Sequence, residues 1–100
     1  MPFLAALTIQ LHLADNSSLK GKRKELLSIR AALTRRFGAT VAEVDNQDLW
    51  QRATLAAGLV SGSAGELEHA VDGIERYLLA RYPEGVRVER RVVSFKDIDA

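Results

Sequence analysis

Residues 42–54, Ala-Glu-Val-Asp-Asn-Gln-Asp-Leu-Trp-Gln-Arg-Ala-Thr, are dense in side chains that could do chemistry. The carboxylates of Glu43, Asp45 and Asp48 could move protons or ligate a hard cation. The chain's one tryptophan, Trp50, stands two residues before Arg52. Reversing a chain needs only residues such as Gly, Asn or Pro, so this composition predicts a turn at which something is recognised.

These acids, together with His12, could in principle form a divalent-cation site through oxygen and imidazole ligands. Arg52 argues against a metal, because it would already neutralise one carboxylate. Ion pairing of Glu43 and Asp45 with Arg52, across a hairpin that also carries Thr54, is the simpler interpretation, worth about 0.2–1 kcal/mol per pair. The chain has no cysteine, which excludes thiolate catalysis and zinc-finger sites. We therefore expect no catalytic residue, no metal and no cofactor.

Trp50 and His12 each admit two interpretations. A tryptophan in a turn can cover the end of the core or anchor a partner, and covering is the commoner role, although Trp and Arg together are typical of binding hot spots. His12, at the end of a predicted strand, is more often a hydrogen-bonded structural residue than a general base.

A second cluster of charge opens a predicted helix with Ser-Ser-Leu-Lys-Gly-Lys-Arg-Lys. Residues 20–36 hold seven bases and one acid, a charge of +6, so the rest of this +1 chain sums to −5. Cations in the first turns oppose the helix dipole, whereas a bound phosphate would meet amides, hydroxyls and cations together. Gly21 favours such a close approach, and a solvated basic face is the alternative. The predicted nucleic-acid-binding residues are Ser18, Lys20, Lys22, Arg23, Lys24 and Arg30.

Hydrophobic periodicity places these residues on a β-α-β-β-α-β chain. Strands are predicted over residues 3–13, 39–45, 52–60 and 86–95, with helices over 19–37 and from a cap at Ser63 to residue 82; residues 97–100 should fray. This is the α+β, ferredoxin-like order, a single domain over 1–100, with an antiparallel sheet in the order 4-1-3-2 and both helices on one face. That topology gathers His12, the start of the first helix and the 45–52 hairpin at one end.

The other face of the predicted sheet is open and carries small or mildly apolar residues: Thr8, Gln10, Ala56, Gly58 and Val60. Such a surface could pack on a second copy, so a homodimer is one hypothesis. Ferredoxin-like RNA binders stack bases on aromatic residues of this face, but the third strand has no Phe or Tyr. Contact between the helix and RNA phosphates remains open.

The first residues are apolar, but no basic segment precedes them and no cleavage site follows. The run is also too short to span a bilayer. We therefore expect a cytoplasmic protein without a membrane partner.

Two segments, Leu11-His12-Leu13 with residues 18–23 and residues 41–54, resemble the YlxP-like family of small bacterial proteins of unassigned function. The resemblance implies a ferredoxin-like fold and an association with translation and ribosome maturation, and it assigns no catalytic residue. Histidine is usual in that family where Asn46 stands, and glutamate where Gly21 stands. The first departure weakens a proton-transfer or metal site; the second makes the helix start more positive.

Three functions are therefore hypotheses. The leading one is a non-enzymatic module that contacts RNA or ribosomal particles through the basic helix start, with Trp50 and Arg52 at the neighbouring edge. The second is a homodimeric assembly factor that uses the open sheet face. The third is an enzyme or small-ligand-binding domain with a pocket at the hairpin end, using His12, Glu43 and Asp48.

Overall fold

The structure is a computed structural model that describes residues 1–98. The elements are β1 (Phe3–His12), α1 (Leu19–Phe37), β2 (Thr40–Asp45), β3 (Arg52–Ser61), α2 (Ala64–Arg81), β4 (Val86–Ser94) and α3 (Phe95–Ile98). The predicted β-α-β-β-α-β order is confirmed. The short α3 was not predicted: residues 97 and 98, expected to fray, belong to it, and residues 99 and 100 lie outside the described residues.

The four strands form one antiparallel sheet in the order β2-β3-β1-β4, which is the predicted order read from the other edge. β1 lies in the interior, with Ile9 opposite Leu55 on β3 and opposite Val88 on β4. This order leaves β2 and β4 as edges and brings the carboxyl end of β1 beside the start of β3. His12 therefore pairs with Arg52 at the end of the sheet where α1 begins.

The bounds of α1 are set by its caps. Ser18 has extended backbone angles and its side chain accepts a hydrogen bond from the Gly21 amide, which satisfies one of the free donors of the first turn. Gly38 ends the helix in the left-handed conformation, φ 73°, which glycine adopts without a Cβ penalty.

The core lies between the sheet and the two long helices. Alternate residues of β1 and β3 point into it, and the helices contribute stripes at helical spacing. Its fully buried large apolar side chains are Ile9, Ile29, Leu33, Leu55, Val71, Ile74 and Leu78. Each is worth about 1.5–3 kcal/mol of burial. No helix within residues 1–98 is long and apolar enough to cross a membrane.

Candidate functional site

Lys22 is buried, with only 2% of its surface exposed, and its ammonium group holds the connection between β2 and β3. Nζ donates to the carbonyl oxygens of Asn46 at 2.6 Å and Leu49 at 2.8 Å, with Gln47 more distant at 3.5 Å. Nζ also lies 3.0 Å from Glu43 Oε2. The prediction that Lys22 meets an external anion is thereby corrected, because its donors are turned into the protein.

The sequence carried a signal for this burial. Lys22 lies four residues before Leu26 and seven before Ile29, so it continues the buried stripe of α1 by one turn. A lysine on that stripe can lay its apolar stem along the core while its head finds acceptors at the core's end. Counting the positive charges of α1 did not reveal the burial of Lys22, because the count treats it like its exposed neighbours.

Glu43 does not face outward as predicted, because it continues the alternation from buried Val41, and a β-bulge follows it at Val44. Glu43 stands opposite Leu55, whereas Asp45 stands opposite Thr54, and Val44 is the extra residue between them. Glu43 therefore faces the helices, and its expected pair with Arg52 is wrong: its partner is Lys22. Glu43 Oε2 is buried and accepts no hydrogen bond of good geometry, so the attraction to Lys22 is electrostatic.

The prediction that Thr54 faces solvent is also wrong, because Thr54 is buried. Its hydroxyl donates to Gln10 Oε1 at 2.7 Å and accepts from Asn46 Nδ2 at 2.8 Å. Asn46 itself has a positive φ of 63°, a conformation that Asn tolerates better than most residues. These bonds hold Asn46, at the start of the connection between β2 and β3, against the open face of the sheet.

The segment after β1 fixes the second half. Asn16 Nδ2 donates to the Trp50 carbonyl and, at 2.7 Å, to the Ser18 carbonyl at the start of α1. Gln51 Nε2 donates to the carbonyls of Ala14 and Asn16 at 3.3 and 3.2 Å. We name residues 46–51 the anchored loop, since both its ends are bound by groups from α1 or the segment before it. The three segments expected to converge do meet here.

The two largest side chains of the anchored loop point outward. Trp50 is 54% exposed and Leu49 is 47% exposed, so Trp50 does not cover the end of the core. Asp48, like Asp45 just before the loop, is exposed. Among residues 1–98, no group of three His, Asp or Glu side chains could hold a metal ion.

The start of α1 is covered by the chain itself. A Cβ at Gly21 would lie 2.5 Å from Asn16 Oδ1 and 3.2 Å from Ser18 Oγ. Gly21 is therefore needed for the approach of Asn16, which removes the argument that it makes room for an external phosphate. Ser18 Oγ likewise has its acceptor role filled by the Gly21 amide at 3.0 Å.

The remaining cations of α1 are exposed and form a basic face. Its members are Lys20, Arg23, Lys24, Arg30 and Arg35, and none forms a salt bridge with another residue that the structure describes. Arg36 differs, because its guanidinium stacks over the rings of Phe37 and Tyr77 at 5.4 and 5.1 Å. Within residues 1–98, the basic face thus has no carboxylate paired to it.

One flank of the basic face continues to β2 and the anchored loop. Leu27, Arg30 and Thr34 line a shallow groove against Val41 of β2. Arg23 lies one turn before Leu27 on the same flank. The residue before Arg23 along the helix, Lys22, contacts the anchored loop.

A separate concavity of about 800 Å³ lies on the other flank, between α1 and the segment after α2. It is lined by His12, Glu25, Arg81 and Tyr82, and by neither Glu43 nor Asp48 of the predicted pocket. The Tyr82 hydroxyl donates to Glu25 Oε2. Burial, with the adjacent Glu25 carboxylate, raises the pKa of Tyr82. The phenol therefore serves as a neutral donor that ties α2 to α1.

Topology and register define an α+β domain of the ferredoxin-like class. The chain belongs to the family described as "Protein of unknown function (DUF503)", whose model matches residues 4–91. It is 30% identical over 81 residues to "Uncharacterized protein YlxP" of Bacillus subtilis (strain 168), an overlap of 81% of this chain and 87% of that protein. The YlxP-like resemblance is confirmed.

Solved structures are similar in fold. The de novo designed protein Foldit4 has a TM-score of 0.63 at 13% identity, over 94% of this chain and 98% of that one. An amidase of the hydantoinase/carbamoylase family from Burkholderia phymatum has a TM-score of 0.60 at 10% identity, over 94% of this chain but 28% of the amidase. SnoaB, a cofactor-independent oxygenase from Streptomyces nogalater, has a TM-score of 0.52 at 11% identity, over 91% of both chains. At these identities the likeness concerns the fold alone.

Proposed function

We propose that this protein is a cytoplasmic, non-enzymatic module that binds structured RNA, free or in ribosomal particles, through the basic face of α1. The observation that carries the proposal is the basic face itself: exposed cations on one helix, with no carboxylate paired to them in residues 1–98. An unneutralised cationic strip on a nearly neutral protein favours a polyanion, because binding releases the polyanion's condensed counterions.

Geometry supports contact with several phosphates at once. The rise of an α-helix, about 1.5 Å per residue, places Lys20, Arg23 and Lys24 within roughly 6 Å along the axis. Arg30 and Arg35 extend the same strip by about three turns. Lys22 is buried and Ser18 serves as the N-cap of α1, so neither belongs to this surface. The binding groups are therefore long side chains rather than helix amides.

The test compares two double charge reversals by equilibrium binding to a structured RNA over a salt series. R23E/K24E alters the basic face, whereas R91E/K96E makes the same change in net charge on exposed residues of β4 and α3. We expect R23E/K24E to weaken binding and to flatten the salt slope by about one unit for each phosphate that is no longer bound. An equal weakening in both variants, or no RNA binding by the wild type, would contradict the proposal.

A second candidate, homodimerisation through the open sheet face, is favoured by one specific observation. Gly58 lies inside β3, with unbroken register to Ala6 on one side and Thr40 on the other, and a Cβ there would meet nothing within 4 Å. Glycine in a strand interior weakens the strand, and it often marks a site that another backbone or a ligand approaches closely. The chain's own packing supplies no such neighbour in the described residues.

Sedimentation of the wild type and of Gly58→Arg tests this candidate. A second copy seated on this face predicts a wild-type dimer that Gly58→Arg converts to monomer. Val60 is 67% exposed near the end of the same strand, so Val60→Arg is a matched variant. It should weaken the dimer less than Gly58→Arg does, because it lies at the rim of the proposed interface. A monomeric wild type, or a dimer unaffected by Gly58→Arg, counts against this interface.

A further inference from the structure

We propose that Trp50 is a stacking site for one unpaired base of the bound RNA. This inference rests on the proposed function and deepens it by naming the part of the RNA that the anchored loop takes. The open face of the four strands carries no Phe, Tyr or Trp, so stacking of a base on one of these rings has to come from elsewhere in the fold. Trp50, half exposed on the loop that Lys22 of α1 holds, offers the required ring.

The anchored loop is held in advance of binding. Three carbonyl oxygens of residues 46–49 lie 2.6 to 3.5 Å from Lys22 Nζ, and the Trp50 carbonyl accepts from Asn16. Burying an ammonium costs several kcal/mol unless its donors are satisfied. Here those donors are used to fix a loop whose two largest side chains face water. A loop fixed in this way loses little further entropy when a ligand stacks on it.

Charge decides how the RNA would lie. Asp45 and Asp48 are exposed at and beside the loop, and their carboxylates repel phosphates. Lys20, Arg23 and Lys24 stand on the neighbouring turns of α1, since Lys22 among them contacts the loop. The backbone of the RNA therefore runs over α1, and the base of an adjoining unpaired nucleotide turns towards Trp50. A nucleotide matches this arrangement, because its phosphate can contact the cations of α1 while its base stacks on the ring of Trp50.

The fluorescence of Trp50 gives a direct readout, because it is the chain's one tryptophan. We would titrate the intact protein with two RNAs of equal length: a hairpin with an unpaired loop and a blunt duplex. Both should bind through the basic face, but the hairpin should quench Trp50 and the duplex should not. Trp50→Leu should weaken hairpin binding by about tenfold or more, as expected when one base–aromatic stack is removed, and leave duplex binding unchanged.

Matched variants separate stacking from general damage. Trp50→Phe keeps a ring and should retain most of the hairpin preference, whereas Phe95→Leu removes another exposed aromatic at the opposite end of the sheet and should have no effect. If hairpin and duplex both bind with the expected salt slope, but Trp50 is not quenched and Trp50→Leu binds both normally, the stacking site is overturned and the proposed function stands. If neither RNA binds, the proposed function itself fails.

Discussion

Lys22 Nζ lies 3.0 Å from Glu43 Oε2, so a helix residue and an edge-strand residue distant in sequence share a charge pair at the end of the core. The pair exists because α1 extends its buried stripe by one lysine and because Glu43, opposite buried Leu55, lies on the helix-facing side of β2. It fixes the spacing between α1 and the anchored loop. The proposed RNA surface depends on that spacing.

Replacing Lys22 by Met should lower the free energy of unfolding by about 3 kcal/mol, a loss typical of removing one partner of a buried ion pair. Methionine fills similar space but leaves Glu43 and the loop carbonyls without their donor. Chemical denaturation measures the loss. The double variant K22M/E43Q should lose less than the sum of the two single variants, because the unpaired carboxylate is also removed. Strict additivity would show that the pair is not coupled.

Gly21→Ala and Gly65→Ala test the approach of Asn16 to α1. Both glycines lie in the first turn of a helix, and alanine has the higher helix propensity, by up to about 1 kcal/mol. A Cβ at Gly65 has its nearest neighbour at 3.8 Å, whereas a Cβ at Gly21 meets Asn16 Oδ1 at 2.5 Å. Gly65→Ala should therefore stabilise the protein, and Gly21→Ala should gain less or destabilise it. The melting temperatures of the two variants measure this difference. An equal gain in stability at both sites would contradict the contact between Asn16 and Gly21.

Tyr82 should ionise above its ordinary pKa of 10.0, because burial and then Glu25 favour the neutral phenol. A raised folded-state pKa means that this contribution to stability is complete below the unfolded value. It is lost as the pH rises through the folded value. Ultraviolet absorbance of the phenolate follows the titration, and Glu25→Gln should bring the pKa of Tyr82 down. Ionisation of Tyr82 at its ordinary pKa in the folded protein would contradict the Glu25 contact.

The fold could be predicted from the sequence because its signals are local and mutually consistent. Alternation in β1, the Ser18 cap and the Gly38 stop each specify an element, and handedness rules then leave few ways to join them. The orientation of Asp45 relative to Glu43 could not be predicted, since one extra residue at Val44 shifts the register and leaves Glu43 opposite Leu55 but Asp45 opposite Thr54. The exposure of Trp50 could not be predicted either, because Lys22 and Asn16 set it from other segments.

The central claim is that the basic face of α1 and the anchored loop form one RNA surface, and amide chemical-shift mapping tests it most directly. Nitrogen-labelled protein would be titrated with the loop-containing RNA hairpin. We predict that the shifts concentrate in residues 20–30 and 46–51, with residues 60–62 and 94–98 at the opposite end of the sheet unchanged. Shifts centred on the open sheet face around Gly58, or no shifts at saturating RNA, would contradict the claim.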